Sequence, residues 1–168
     1  MNVDDVRVEP YPGSRDTLRP LFELAEDSPT QLDSYLSAGR ILVARHGTDI
    51  VGHLQLVGTD QPEVVELKNM AVREDVQGLG VGARLVRAAV DLLTAEGVPV
   101  LVVATAAADI GNLRFYQRQG FRMRSIERDA FTPANGYAPG TMIDGIELRD
   151  RVWLDLHRQF PLTAPGPV

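Results

Sequence analysis

The period at which apolar residues recur changes repeatedly along this chain, and each change marks the edge of an element. "VRVEPY" alternates and reads as a first strand. From Ser14 to Gly39 the pattern turns helical, with Ser14 a candidate N-cap, a break at Pro29 and a stop at Gly39, so two helices follow that strand. "RILVARHG" and "DIVGHLQLVG" are apolar runs meeting at a Gly-Thr turn signal, which predicts an antiparallel hairpin. "EVVELKNMAV" is a further strand. Val81, Leu85, Ala88, Ala89, Leu92 and Leu93 then fall at helical spacing, and Gly97 supplies the stop. "VPVLVVATAA" lacks polar alternation, as expected of a strand buried on both faces. A short helix, "DIGNLRFYQRQG", and a strand, "FRMRSIERDAF", precede a long Gly- and Pro-rich loop, "TPANGYAPGTMID". "GIELRDRVWLDL" reads as one last strand, with Ile146, Leu148, Val152, Leu154 and Leu156 on one face interrupted only by Asp150.

Two irregularities carry the chemistry. In "EVVELKNMAV", Val65 and Leu67 keep a two-residue period, but the apolar series resumes at Met70 and Val72, out of phase across Lys68 and Asn69. Either the strand carries a bulge there, or two polar residues face solvent near its end. The second irregularity is "QGLGVGARLV" at 77–86, where glycines open a helix. A P-loop requires Lys and then Ser or Thr after its last glycine, and "ARLV" stands there instead. Gly78, Gly80 and Ala83 match a dinucleotide fingerprint with Asp109 downstream, but that motif follows the first strand of a βαβ array, and here a hairpin precedes it. Gln77, Gly80 and Gly82 also read as Q-x-x-G-x-G, a loop whose backbone N–H groups, at a helix N-terminus, suit a pyrophosphate.

Composition narrows the field. The chain has 168 residues and a formal net charge of -6, which disfavours a nucleic-acid partner. No apolar stretch approaches a membrane span, and the acidic start "MNVDDVRVEPYPG" is unlike a signal peptide, so a cytoplasmic location is expected. Without cysteine there is no disulfide, thiolate nucleophile or thiolate metal site, and His46, His53 and His157 are scattered, so no metal is implied. With no repeat or linker, residues 1–168 read as a single domain. Lys68 is the sole lysine among 17 basic residues.

The order of "VVELKNMAV", "REDVQGLGVGARLV" and "VLVVATAAADIGNLRFYQRQGF" resembles the core of the GNAT superfamily of acyl-CoA-dependent N-acetyltransferases, closely over about residues 64–124. The tail "YAPGTMIDGIELRDRVWLDL" is similar to one bacterial subgroup. The resemblance implies an α/β fold: a mixed, mostly antiparallel central sheet of about seven strands flanked by helices, with a bulged, splayed strand pair forming an acyl-CoA cleft. It implies acetyl-CoA as co-substrate, with Met70, Ala71 and Val72 meeting the pantetheine arm by backbone. Gln77, Gly78, Leu79, Gly80, Val81 and Gly82 would hold the pyrophosphate, and Asn112 would contact the cofactor arm. The frequent Pro before the loop is absent, and its first position is Gln rather than Arg.

Transfer to an amine needs a base for the attacking nitrogen and an acid for the departing thiolate. The resemblance puts Tyr116 forward as the acid and Glu66 as the base; Tyr116 also reads as part of an aromatic core patch, and Glu66 as a solvated strand charge. Asp150 is a weaker candidate base that would otherwise pair with an Arg or mark a bulge. A backbone N–H at Met70 or a neighbour would stabilise the oxyanion. The acceptor expected is a small amine, and Glu23, Glu26, Asp27 and Asp33 would favour a cationic one. A non-catalytic acyl-CoA-binding sensor or interaction module on the same fold is the alternative, and monomer and homodimer both stay open.

Overall fold

The computed structural model describes residues 1–158. Strand β1 (Val6–Pro10) leads into helices α1 (Arg15–Glu23) and α2 (Pro29–Tyr35). Ser14 caps α1 by accepting the Asp16 N–H, and Ser28 caps α2 by accepting the Gln31 N–H, with Pro29 at the first helical turn where a missing N–H costs nothing. The break expected at Pro29 is therefore the start of a helix. Strands β2 (Arg40–His46), β3 (Asp49–Gly58) and β4 (Val64–Val72) follow as antiparallel neighbours. Helix α3 (Val81–Ala95) crosses to β5 (Val100–Ala106), which lies parallel to β4. Helix α4 (Ile110–Arg118), strand β6 (Arg122–Glu127), a small hairpin of β7 (Met142–Ile143) and β8 (Ile146–Glu147), and strand β9 (Arg151–His157) complete the order.

The main sheet has seven strands in the order β1-β2-β3-β4-β5-β9-β6, with β4–β5 its one parallel pair. Apolar residues on one face, among them Leu42, Leu54, Leu56, Leu67, Val103 and Leu154, pack on Val81, Leu85, Ala89 and Leu93 of α3. On the other face Ile41 and Val43 pack against Leu18, Phe22 and Leu32 of α1 and α2. Both faces of β2 are thus covered, and in β5 three successive residues, Leu101, Val102 and Val103, are buried, in keeping with its unbroken apolar run.

Three sequence expectations need correction. The last strand is not continuous: β8 belongs to the hairpin, β9 begins at Arg151, and Ile146 is 46% exposed instead of facing the core. The break lies at Asp150, whose carbonyl accepts the Ala107 N–H at 2.8 Å and whose carboxylate accepts the Asp129 N–H at 2.9 Å. Asp150 is engaged in that turn and does not line the cleft described below. The segment 132–144 is not all loop, since it holds a short 3-10 turn at Pro133–Asn135 and strand β7. The bulge in β4, by contrast, is present: Gln55 pairs with Asn69 and Leu56 with Leu67, leaving Lys68 as the extra residue.

Beneath α1 and α2 the sheet carries polar side chains, which satisfy the C-terminal carbonyls of those helices. Gln55 Nε2 donates to the carbonyls of Tyr35 and Ala38, and Asn69 Nδ2 donates to the Phe22 carbonyl and the Tyr35 hydroxyl. With its amide nitrogen so engaged, Asn69 turns Oδ1 to His53 Nε2 at 2.9 Å, which assigns the proton of neutral His53 to Nε2. The imidazole is fully buried, 4.2 Å from the Phe22 ring, and burial pulls its pKa down to about 4 despite the opposing effect of the hydrogen bond it donates to Asn69. Folded protein therefore holds His53 neutral while the unfolded chain takes up a proton below about pH 6.5, so stability is lost as pH falls from about 6.5 towards 4. The expected slope from this group is about 1.4 kcal/mol per pH unit. Urea midpoints measured across that window should decline more steeply for the parent than for His53→Gln; parallel declines would assign the acid sensitivity elsewhere.

Candidate active site

The bulge sets where the sheet opens. Strands β4 and β5 pair from Val64–Val100 to Leu67–Val103 and no further, although both continue, β4 to Val72 and β5 to Ala106. Past Lys68 the two strands diverge, and unpaired backbone edges face one another. A cleft of about 200 Å³ occupies this opening. Its lining includes Glu66, Lys68, Asn69 and Met70 from β4, Ala104 to Ala106 from β5, and Asn112 and Tyr116 from α4.

Four residues expected at the site thus converge there: Glu66, Met70, Asn112 and Tyr116. Ala71 and Val72 continue β4 away from the cleft; Ala71 is buried at 8% exposure, and Val72 lies next to the start of α3. Gln77 through Gly82 sit outside the cleft's lining, along the same edge, where the chain leaves β4 through a 3-10 turn at Glu74–Val76 and enters α3. The Gln77 side chain braces this turn by donating to the Val72 carbonyl at 3.0 Å. Gly78 and Gly80 have φ of +78° and +91°, a left-handed backbone that accounts for glycine at both. Gly80 is the N-cap of α3 and contributes no side-chain hydrogen bond, so the first-turn N–H groups are left for an external acceptor. At Gly82 the reason for glycine is packing: a Cβ would lie 3.3 Å from the Phe115 ring of α4. Leu79 is 44% exposed at the loop's tip.

Tyr116 belongs to the aromatic core patch read in the sequence and also borders the cleft. Its ring sits edge-on to Phe115 and Phe121 at 5.1 and 5.5 Å in the core, and the residue also lines the cleft. Burial, with a smaller contribution from Asp109, raises the phenol pKa, so the hydroxyl stays protonated and can donate. Asn112 lies on the exposed first turn of α4, its Nδ2 3.4 Å from Thr105 Oγ1 on β5. Asp109 caps that helix by accepting the Asn112 N–H at 2.9 Å, a local use unlike the acidic partner of a dinucleotide fingerprint. Glu66 is half-buried with a side-chain exposure of 18%, and Lys68 Nζ lies 3.8 Å from its Oε1.

The opposite wall was less legible. Glu26 accepts the Tyr35 hydroxyl at 3.0 Å on Oε1 and the Tyr137 hydroxyl at 2.8 Å on Oε2. Burial pushes both phenols well above their usual range, with the carboxylate adding to the rise, so they remain donors. Of the acidic residues read on α1 and α2, Glu26 and Asp27 reach the cleft, whereas Glu23 and Asp33 pair with Arg19 outside it. Nothing in the spacing of Glu26, Tyr35 and Tyr137 signals their meeting, because it depends on the segment after β6 folding back onto α2. Among the described residues, no group of three or more His, Cys, Asp or Glu is arranged to hold a metal ion, and no helix is long and apolar enough to cross a membrane.

The sequence profile of the Acetyltransferase (GNAT) family matches residues 6–121. The chain belongs to that family. It is 34% identical over 158 residues to an uncharacterized N-acetyltransferase, YvbK, of Bacillus subtilis (strain 168), covering 93% of this chain and 100% of the relative. Among solved structures, a Bacillus subtilis acetyltransferase in complex with CoA superposes with a TM-score of 0.82 at 32% identity, covering 92% of this chain and 99% of that one. A GNAT family acetyltransferase from Elizabethkingia anophelis with acetyl-CoA bound gives a TM-score of 0.84 at 28% identity, with the same 92% and 99% coverage. For this GNAT chain the mixed, mostly antiparallel seven-stranded sheet flanked by helices thus matches solved structures of the family.

Within that architecture Glu26 ties the helical wall to the C-terminal segment. Glu26→Ala leaves the Tyr35 and Tyr137 hydroxyls without their acceptor, and a loss of about 1–3 kcal/mol in urea unfolding is expected. Amide exchange around Tyr137 should accelerate in the variant, and unchanged exchange there would show that the tie is not needed to hold the wall.

Proposed function

We propose that this chain transfers an acetyl group from acetyl-CoA directly to a primary amine of a small molecule or peptide, both substrates being bound together. The observation that carries the reading is the placement of Glu66 and Tyr116 on one cleft, at the point where β4 and β5 part. The backbone edge of Met70 to Val72, left unpaired by β5, suits the amide-rich pantetheine arm. The left-handed glycines and uncapped first turn of α3 suit the pyrophosphate, whose charge the helix dipole favours.

In this reading Glu66 accepts the proton that frees the amine, and the nitrogen attacks the thioester carbonyl. A backbone N–H of β4 near Met70 stabilises the oxyanion. Tyr116, held protonated by burial, donates to the sulfur as the carbon–sulfur bond breaks. The acceptor is read as cationic: Glu26, Asp27, Glu66 and Asp109 line the cleft against Lys68 and Arg151, and Arg151 is already paired with Glu127 at 3.0 Å. Glu26, with both carboxylate oxygens accepting from phenols, is held in place as a fixed negative charge in the wall and is not read as the base.

Leu79→Glu tests the nucleotide end. A carboxylate at this exposed position complements the α3 dipole in the free protein but repels a pyrophosphate. The melting temperature without ligand should hold, while affinity for acetyl-CoA by thermal shift falls about 10-fold or more. An equal shift in parent and variant would remove the loop from the binding site.

Tyr116→Phe tests the chemistry. It keeps the ring packing, so folding and acetyl-CoA binding should persist while kcat for thiol release with an amine acceptor drops about 10²-fold or more. A parental rate, with chemistry limiting, would overturn the role of the phenol. Binding of acetyl-CoA with no thiol release from the parent across an amine panel would instead favour a sensor.

A further inference from the structure

Lys68 is the extra residue of the β4 bulge, immediately after the last pair that joins β4 to β5. A bulged residue is free to aim its side chain away from the ladder. Here it aims into the cleft. The ammonium lies 4.8 Å from the centre of the Tyr35 ring and 3.8 Å from Glu66 Oε1. An amine is therefore already tethered inside the acceptor cleft, with one side on an aromatic face and the other beside the carboxylate read as the base. Lys68 is also the chain's sole lysine, so every other cationic side chain is an arginine or histidine and forms no stable amide of this kind. Tethering replaces the encounter with an external acceptor by a rearrangement of one flexible side chain.

We propose that the cleft acetylates its own Lys68, a modification site that rests on the acetyl-transfer reading above. The Lys68 ammonium gives a proton to Glu66, and the freed amine attacks the thioester carbonyl of acetyl-CoA. The new carbon–nitrogen bond forms as the carbon–sulfur bond breaks, the departing thiolate takes a proton from Tyr116, the second proton of the nitrogen restores the phenol, and Glu66 passes its proton to solvent. In balance, ammonium plus acetyl-CoA yields an N-acetyl amide, the free thiol of CoA and one proton. The product is neutral: it no longer pairs with Glu66 or holds a cation against Tyr35, so the cleft becomes more negative and its base is released to an external amine.

The test is intact-protein mass spectrometry of the full chain incubated with acetyl-CoA and no acceptor. A single addition of about 42 Da is expected, which peptide mapping places on Lys68. Its rate should be first order and independent of protein concentration, at least about 10-fold faster than with an equal concentration of a nucleotide-free acetyl thioester. Lys68→Arg should lose the addition and Glu66→Gln should slow it. No addition, an addition confined to the N-terminal amine, a rate that rises with protein concentration, or an equal rate with the small thioester would each overturn the proposal. Thiol release with an amine panel, followed in the same preparations, separates two failures. Turnover without modification of Lys68 removes this inference alone, whereas neither turnover nor stabilisation by acetyl-CoA removes the acetyl-transfer reading with it.

Discussion

One extra residue in β4 decides where this sheet can open. Up to Leu67 the strand serves two neighbours, β3 on one side and parallel β5 on the other. Lys68 then breaks the two-residue period, and beyond it β4 keeps β3 but leaves β5. The change of phase has a second effect. Leu67 and Met70 both face α3, and Glu66 and Asn69 both face α1 and α2, so one bulge places a carboxylate and a buried amide on the same side of the opening. The cleft, its candidate base and its tethered amine all follow from that local fault in the ladder.

Such a fault needs support, because backbone released from a ladder and side chains turned inward must find other partners. Asn69 supplies much of it. Its amide binds α1 at the Phe22 carbonyl, α2 at the Tyr35 hydroxyl and β3 at His53, so the residue following the bulge is pinned from three elements. From Tyr35 the hydrogen bonds continue to Glu26 and then to Tyr137, linking the strand fault to the C-terminal wall. The same buried layer makes His53 a neutral imidazole and couples the stability of this wall to pH.

The helical ends divide the remaining work between packing and charge. Gly82 lets α3 approach the Phe115 ring, which keeps α3 and α4 together at one mouth of the opening. Gly78 and Gly80 shape the turn so that the first N–H groups of α3 stay free. Tyr116 joins packing to the cleft: its ring lies in the aromatic core, and the residue borders the cleft together with Ala104 to Ala106 of β5, where that strand continues without β4. Packing of the ring in the core holds the residue that borders the cleft in a fixed place.

What the sequence determined by itself was local. Hydrophobic period located each strand and helix of the sheet, and a slip of phase at Lys68 and Asn69 located the bulge, since side-chain alternation registers one extra residue whatever lies around it. The glycines of 77–82 declared a helix entry open to an anion for the same reason: φ and side-chain size are properties of the residue. Tertiary structure alone decided the opposite wall. Glu26, Tyr35 and Tyr137 come from α1–α2 and from a segment about a hundred residues later, and no periodicity relates them. The break of the final strand at Asp150 was equally hidden, because its cause is pairing with Ala107 and Asp129, and a hydrogen-bond partner distant in sequence leaves no mark on the pattern of apolar residues.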